Sequence, residues 1–174
     1  MQYSTLLLTI FPLLALAAPA PSASKRQIQE DIMTAALNWQ QDTGFVSSYL
    51  DYAVSTLPNS PPNLQTNGAQ ALAAEMNELS HKMVLDNFFI TGTDTPNQDV
   101  INASNTLTGG PFTTVVNLLG DISRTGNLDD IANINSGRCA TVLPAIDVYF
   151  AAVAQALGTT GQLVAIRPLA CGGI

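Results

Sequence analysis

The chain has 174 residues, of which 47% are hydrophobic and 11% charged, with a formal net charge of −7. That length suits one domain, and six Lys and Arg against 13 Asp and Glu exclude the clustered cations that nucleic acid or an anionic membrane surface requires. Two cysteines and a single histidine, His81, exclude a disulfide-framework miniprotein, a four-cysteine zinc site and any site built on two histidines.

In chain order, Met1–Ala20 reads as a secretory signal peptide. Its core, Leu6–Ala18, is apolar apart from Thr9 and contains Pro12. It is long enough for a signal core and too short to cross a bilayer. Ala15 and Ala17 supply the small residues that signal peptidase accepts. Residues 21–26 read as a short propeptide in an extended Pro/Ala/Ser stretch. It ends at Lys25-Arg26, a pair that resembles the cleavage site of fungal kexin-type processing proteases. Cleavage there leaves a domain of residues 27–174 whose formal charge is two units more negative. No second long apolar segment is apparent in the sequence. The C-terminus has no hydrophobic anchoring tail and no retrieval signal. The expected destination is outside the cell, free or held in a wall. Asn102-Ala103-Ser104 is the single N-glycosylation sequon, and its polar surroundings predict that Asn102 is exposed.

The body reads as helices. Ile28, Ile32, Ala35/Ala36 and Trp39 form one stripe, and Phe45/Val46, Tyr49/Leu50, Ala53/Val54 and Leu57 form another. Asp42-Thr43-Gly44 lies between them, which predicts two helices or one bent one. A third helix over about Thr66–Ile90 places Leu72, Met76, Leu79, Met83 and Asn87 on one stripe. Glu78 and Lys82 are expected as a surface i,i+4 pair. A short helix is predicted over Gln98–Leu107. Another opens at Pro111 with Phe112, Val115/Val116, Leu119 and Ile122 inward. Asn127–Asn135 reads as a further short helix. The last, Pro144–Leu157, faces Ile146, Tyr149/Phe150, Val153 and Leu157 to the core and stops at Gly158. Gln162–Ile166 is the best candidate strand. The fold class is all-α: a single-domain bundle of five to seven helices with an extended C-terminal tail.

Two cysteines in a secreted chain pair most simply with each other. A Cys139–Cys171 disulfide would tie the tail to the start of the last helix, and closing that loop contributes roughly 3–4 kcal/mol on the chain-entropy model. Free or metal-binding thiols have no second histidine or third cysteine to support them.

The sequence contains no nucleophile elbow, phosphate loop, HExxH or CxxC. No catalytic residue, cofactor or metal ligand is assigned. His81, beside Lys82 on a polar helix face, reads as a solvated residue rather than a general base. Asp129-Asp130 lacks the spacing of a calcium loop and reads as solvated or as complementing a helix N-terminus. Asp147 stands in the apolar run Val142–Ala154, where a carboxylate must face solvent or pair with Arg138 or Arg167. Two carboxylates acting as glycosidase acid and base remain a possibility that sequence does not locate among 13 acids. The aromatics Trp39, Phe45, Tyr49, Tyr52, Phe88, Phe89, Phe112, Tyr149 and Phe150 recur at helical spacing and read as core.

The stretch Asn133–Phe150 has the core Arg-Cys-x-x-Val-Leu-Pro-x-x-Asp, followed by Cys171 after Arg167-Pro168. It resembles a group of small secreted proteins of filamentous ascomycete fungi. The resemblance implies a fungal, secreted, helical protein and carries over no catalytic residue. The leading expectation is a non-enzymatic protein acting at the cell surface or in the host environment, with a lipid, wall or host component as its partner. The alternative is a secreted carboxylate-dependent hydrolase.

Overall fold

The computed structural model describes residues 23–57, 62–161 and 163–172, with side chains from residue 31 onward. The signal-peptide reading of Met1–Ala20 lies outside these residues, as do the side chains at the processing pair Lys25-Arg26, whose backbone is the start of a helix rather than the extended stretch expected there. Among the described residues every regular element is helical and none is a strand.

Helix α1 (Ala23–Ser55) is a single helix of 33 residues that runs straight through the segment expected to divide it. Thr43 is not a cap. Its hydroxyl donates to the Gln40 carbonyl one turn back, at 2.8 Å, and accepts the Ile166 amide at 3.0 Å. Gly44 serves that same contact, since a Cβ there would stand 2.8 Å from Ile166 Cδ1. The glycine therefore admits the C-terminal tail rather than ending the helix.

Helix α2 (Leu64–Asp86) continues into a π-helical turn, Asn87–Thr91. It lies antiparallel to α1. Tyr49 meets Leu64 and Gly68 near one end, and Trp39 meets Glu78 further along. Helix α3 (Gln98–Thr108) begins where Asn97 Oδ1 accepts the amides of Asp99 and Val100. Helix α4 (Pro111–Thr125) starts with its proline in the first turn, where a missing N–H costs nothing. Phe112, Val115, Leu119 and Ile122 are buried as their spacing predicts. It packs antiparallel on α2, with Gln65 bonded to the Arg124 carbonyl and Leu72 opposite Gly120.

Helix α5 (Ile131–Gly137) starts later than expected, because Asn127 Oδ1 takes the Asp129 amide and holds that stretch as a turn. A π-helical turn, Arg138–Val142, then joins α5 directly to α6 (Leu143–Leu157). Pro144 thus neither starts a separate helix nor breaks one. Leu143 donates to the Arg138 carbonyl five residues back, which widens the helix just before the residue that has no amide to give. The π turn joins α5 and α6 into one continuous helical run, Ile131–Leu157. By length and composition it would reach across a bilayer, but half of its most apolar window is buried in the bundle.

The tail corrects the expected strand at Gln162–Ile166. Residues 163–168 form no ladder and bond instead to helix side chains. Gln40 and Ser47 donate to the carbonyls of Val164 and Ile166, Asp147 takes the Ala165 amide, and Asp51 takes the Leu169 amide. These contacts advance along α1 as the tail advances, so the tail runs parallel to it. Cys139 and Cys171 are joined in a disulfide with Cα atoms 5.3 Å apart, which fixes the end of the tail to the π turn before α6.

Trp39 sits at the centre of the core, 1% exposed, with Tyr149 and Phe150 at ring distances of 5.2 and 6.0 Å.

Candidate functional site

Helix α2 presents to the core a face the sequence assigned to solvent. Its buried residues include Gly68, Ala71, Glu75, Glu78, Lys82 and Leu85. The stripe of Met76, Leu79 and Met83 points outward, with 54%, 40% and 70% exposure, and Val84 and Asn87 are exposed beside it. Glu78 and Lys82 are therefore not a surface pair. Each is buried, and each has partners on another helix.

Around Trp39, the indole N–H donates to Glu78 Oε2 at 2.9 Å. The Arg138 guanidinium enters from the π turn, pairs with Glu75 and lies 3.5 Å from Glu78 Oε1. It also reaches the Thr43 carbonyl at 3.5 Å. Glu75, Glu78 and Arg138 are all 0% exposed. Two carboxylates against one guanidinium would leave one uncompensated negative charge in a dry interior, which is costly. Burial, followed by the charge of Glu75, holds the Glu78 carboxyl well above the usual carboxylate range. Burial also raises Glu75, against the pull of Arg138. One proton on Glu78 makes the trio neutral. Glu75 Oε1 and Glu78 Oε1 are also the two carboxylate oxygens of the trio without a hydrogen-bond partner.

One turn further along α2, Lys82 Nζ contacts Asp86 at 2.5 Å and Ser104 Oγ at 2.7 Å. Tyr149 Oη donates to Asp86, and burial, then that bond, raises the tyrosine far above its ordinary range. Ser104 and Lys82 have the contact of a nucleophile and base, but Asp86 engages the same lysine nitrogen. The cluster is a satisfied ion pair joining α2, α3 and α6.

Nearer the surface, His81 Nε2 lies 3.2 Å from Asp42 Oδ2, and Asn77 donates to the same carboxylate oxygen at 2.8 Å. His81 is thus no solvated residue, since its side chain is 13% exposed and ties α2 to α1. Asp147 pairs with Arg167, one of the two partners expected for it, and not with Arg138. Asp129 is exposed and Asp130 half-buried, and both bond to neighbouring asparagines. No cluster of metal-ligating side chains occurs among the described residues. Most of the aromatics are core, but Phe45 and Tyr52 are 47% and 36% exposed along the α1–α2 groove. There burial, then Tyr52, pushes the Tyr49 hydroxyl up to about 12. Asn102 is exposed on α3, beside an open groove of about 750 Å³ between α3 and α6.

The buried network was missed because Glu75, Glu78, Lys82 and Asp86 repeat at helical spacing just as the Leu/Met stripe does. The available signal was Arg138, one of six cations in the whole chain, placed just before the apolar run Val142–Ala154. No protein-family model, curated protein or solved structure matches this chain.

Proposed function

We propose that this is a secreted, non-enzymatic fungal protein, a bundle of five to seven helices with an extended tail. It acts at the cell surface or in the host environment by binding an apolar surface or lipid. The observation that carries this reading is the orientation of α2. A helix that hides three charged residues and displays two methionines, a leucine and a valine gives up solvation on one side and burial on the other. Methionine is suited to such a face, since its flexible thioether adapts to irregular apolar partners. A net negative charge favours a neutral apolar surface over an anionic one.

The hydrolase alternative receives no support from the geometry. Its two candidate carboxylates, Glu75 and Glu78, do come together, but with no exposed surface and with Arg138 and Trp39 as partners. A glycosidase pair must flank a cleft that admits a sugar.

The test is retention on an octyl-derivatised matrix and on neutral phosphatidylcholine vesicles, comparing the secreted protein with Met76→Glu/Met83→Glu. The expected result is loss of retention with unchanged helical circular dichroism. Equal retention of the two proteins would remove the basis of the proposal. Lipid co-purifying with the wild type, identified by mass spectrometry, would name the ligand class.

A further inference from the structure

We propose that Asn102 carries an N-linked glycan whose first sugars occupy the α3–α6 groove, and that the glycan is attached before α3 forms. The inference rests on the secretory reading and adds to it a modified residue, a covered surface and an order of events.

Asn102 is exposed and lines the groove. Its Oδ1 accepts from Gln98 Nε2 at 3.1 Å, and its amide nitrogen donates no hydrogen bond among the described residues. The opposite wall includes Pro144, Val148, Ala152 and Gln155 of α6, and Thr106 lies beside Asn102 on α3. A pyranose has one apolar face and a polar edge, so this mixture suits a sugar held at Asn102. The covalent attachment point decides the occupant, because anything else entering the groove must displace a group tethered to its wall.

The order of events follows from the other sequon residue. Successive residues of an α-helix are turned by about 100°, so Asn102 and Ser104 point to nearly opposite sides of α3. Asn102 faces the groove. Ser104 Oγ is turned inward, 2.7 Å from Lys82 Nζ and 3.5 Å from Asp86 Oδ2. A transferase that reads the asparagine amide and the hydroxyl together needs both on one side of the backbone, which the folded helix forbids. In the transfer, Asn102 Nδ2 bonds to the anomeric carbon of the first sugar of a polyprenyl-pyrophosphate-linked oligosaccharide. The bond from that carbon to the pyrophosphate oxygen breaks, the pyrophosphate leaves with the electron pair, and the amide gives up one proton. Ser104 is then free to enter the Lys82–Asp86 pair as α3 folds. The same hydroxyl serves recognition first and packing afterwards.

The experiment is translation of the full chain in the presence of microsomes, followed by intact-mass analysis of wild type and Asn102→Gln. A processed wild-type chain carrying one glycan, absent from Asn102→Gln, is expected. A processed chain without sugar would overturn this proposal and leave the secretory reading standing. An unprocessed chain without sugar would overturn both. Hydroxyl-radical footprinting of the two folded products then tests the groove. Labelling of Pro144 and Val148 should be lost in the glycosylated protein relative to Asn102→Gln, and equal labelling would overturn the placement of the sugars. Finally, folded protein lacking the glycan, offered to solubilised transferase, should accept no sugar, while chain diluted from denaturant directly into the transferase should accept it. Equal transfer to both would overturn the order of events.

Discussion

Replacing Arg138 by methionine removes the one cation that faces Glu75 and Glu78 in the sealed interior. Breaking a buried ion pair by deleting one partner costs about 3–5 kcal/mol. Against a total stability of about 5–15 kcal/mol, that is a large share of the fold. The loss should depend on pH in a defined direction. Both glutamates are raised by burial, so the folded state binds more protons than the unfolded one, whose carboxyls titrate at about 4.3. Stability from a raised carboxyl is fully present below the unfolded value and is lost as pH rises through the folded value. Arg138→Met should therefore be most damaging near neutral pH and much milder near pH ~3, well below the unfolded value, where both carboxyls are protonated in either state. Adding Glu75→Gln and Glu78→Gln should recover most of the loss at neutral pH, because a buried ionic set replaced as a whole by neutral groups is often neutral or stabilising. In the wild-type background, Glu78→Gln alone should flatten the decline of stability with pH while keeping an acceptor for the Trp39 indole. Urea unfolding followed by circular dichroism across this pH range measures all four proteins. A cost for Arg138→Met below about 1 kcal/mol at neutral pH, typical of a surface pair, would refute the argument. So would a cost that does not change with pH.

Replacing Cys139 or Cys171 by serine should lower stability by roughly 3 kcal/mol on the chain-entropy model, read by thermal unfolding. It should also expose residues 163–172 to proteases while leaving the helical signal largely intact. Gly68→Ala should destabilise the protein despite a helix-propensity gain of about 1 kcal/mol, because the new Cβ would lie 2.8 Å from Tyr49 Oη and displace the hydroxyl from its bond to the Leu64 carbonyl. Combining it with Tyr49→Phe should restore part of the loss in the same unfolding assay. Met76→Glu/Met83→Glu should change stability by no more than about 0.5 kcal/mol in urea unfolding, since both side chains are mostly exposed.

The sequence was most legible where hydrophobic spacing had no rival. Phe112, Val115, Leu119 and Ile122 on α4, and Ile146, Tyr149, Phe150 and Val153 on α6, are buried as their spacing requires. Gly126 and Gly158 end their helices in the left-handed conformation, at φ 70° and 64°. Reading failed where a residue's role is set by a distant partner. Thr43 and Gly44 look like punctuation locally, and only the tail from more than 100 residues away explains them. Pro144 looks like a first-turn residue, and the π turn before it lets the helix pass. Helix α2 is the least legible element, because it carries two helical stripes, one charged and one apolar. Hydropathy ranks the apolar stripe as core when, at this position, Arg138 and Trp39 supply the partners that make the charged one core. The buried network was legible only as a composition anomaly, one of six cations standing just ahead of the apolar run Val142–Ala154.

The two faces of α2 are one physical choice. Rotating the helix about its axis would bury Met76, Leu79 and Met83 and return Glu75, Glu78 and Lys82 to water, a gain by either measure taken alone. What opposes the rotation is complementarity fixed elsewhere. Gly68 and Ala71 are the small residues of the inward face, and at Gly68 the Tyr49 hydroxyl stands where a Cβ would be 2.8 Å away, with the α4 backbone in contact beside it. A turned helix would place Leu72 or Met76 there. Arg138, Trp39 and the Tyr149–Asp86 bond would also be left without their partners, and an orphaned buried guanidinium costs more than a solvated methionine gains. The charged network thus specifies the rotation of α2, and the rotation of α2 creates the apolar face. If the network were dismantled as a whole, by the triple replacement at Glu75, Glu78 and Arg138, stability could be kept while the reason for displaying the methionines disappeared. The apolar face is in that sense a consequence of the network that fixes the rotation of α2.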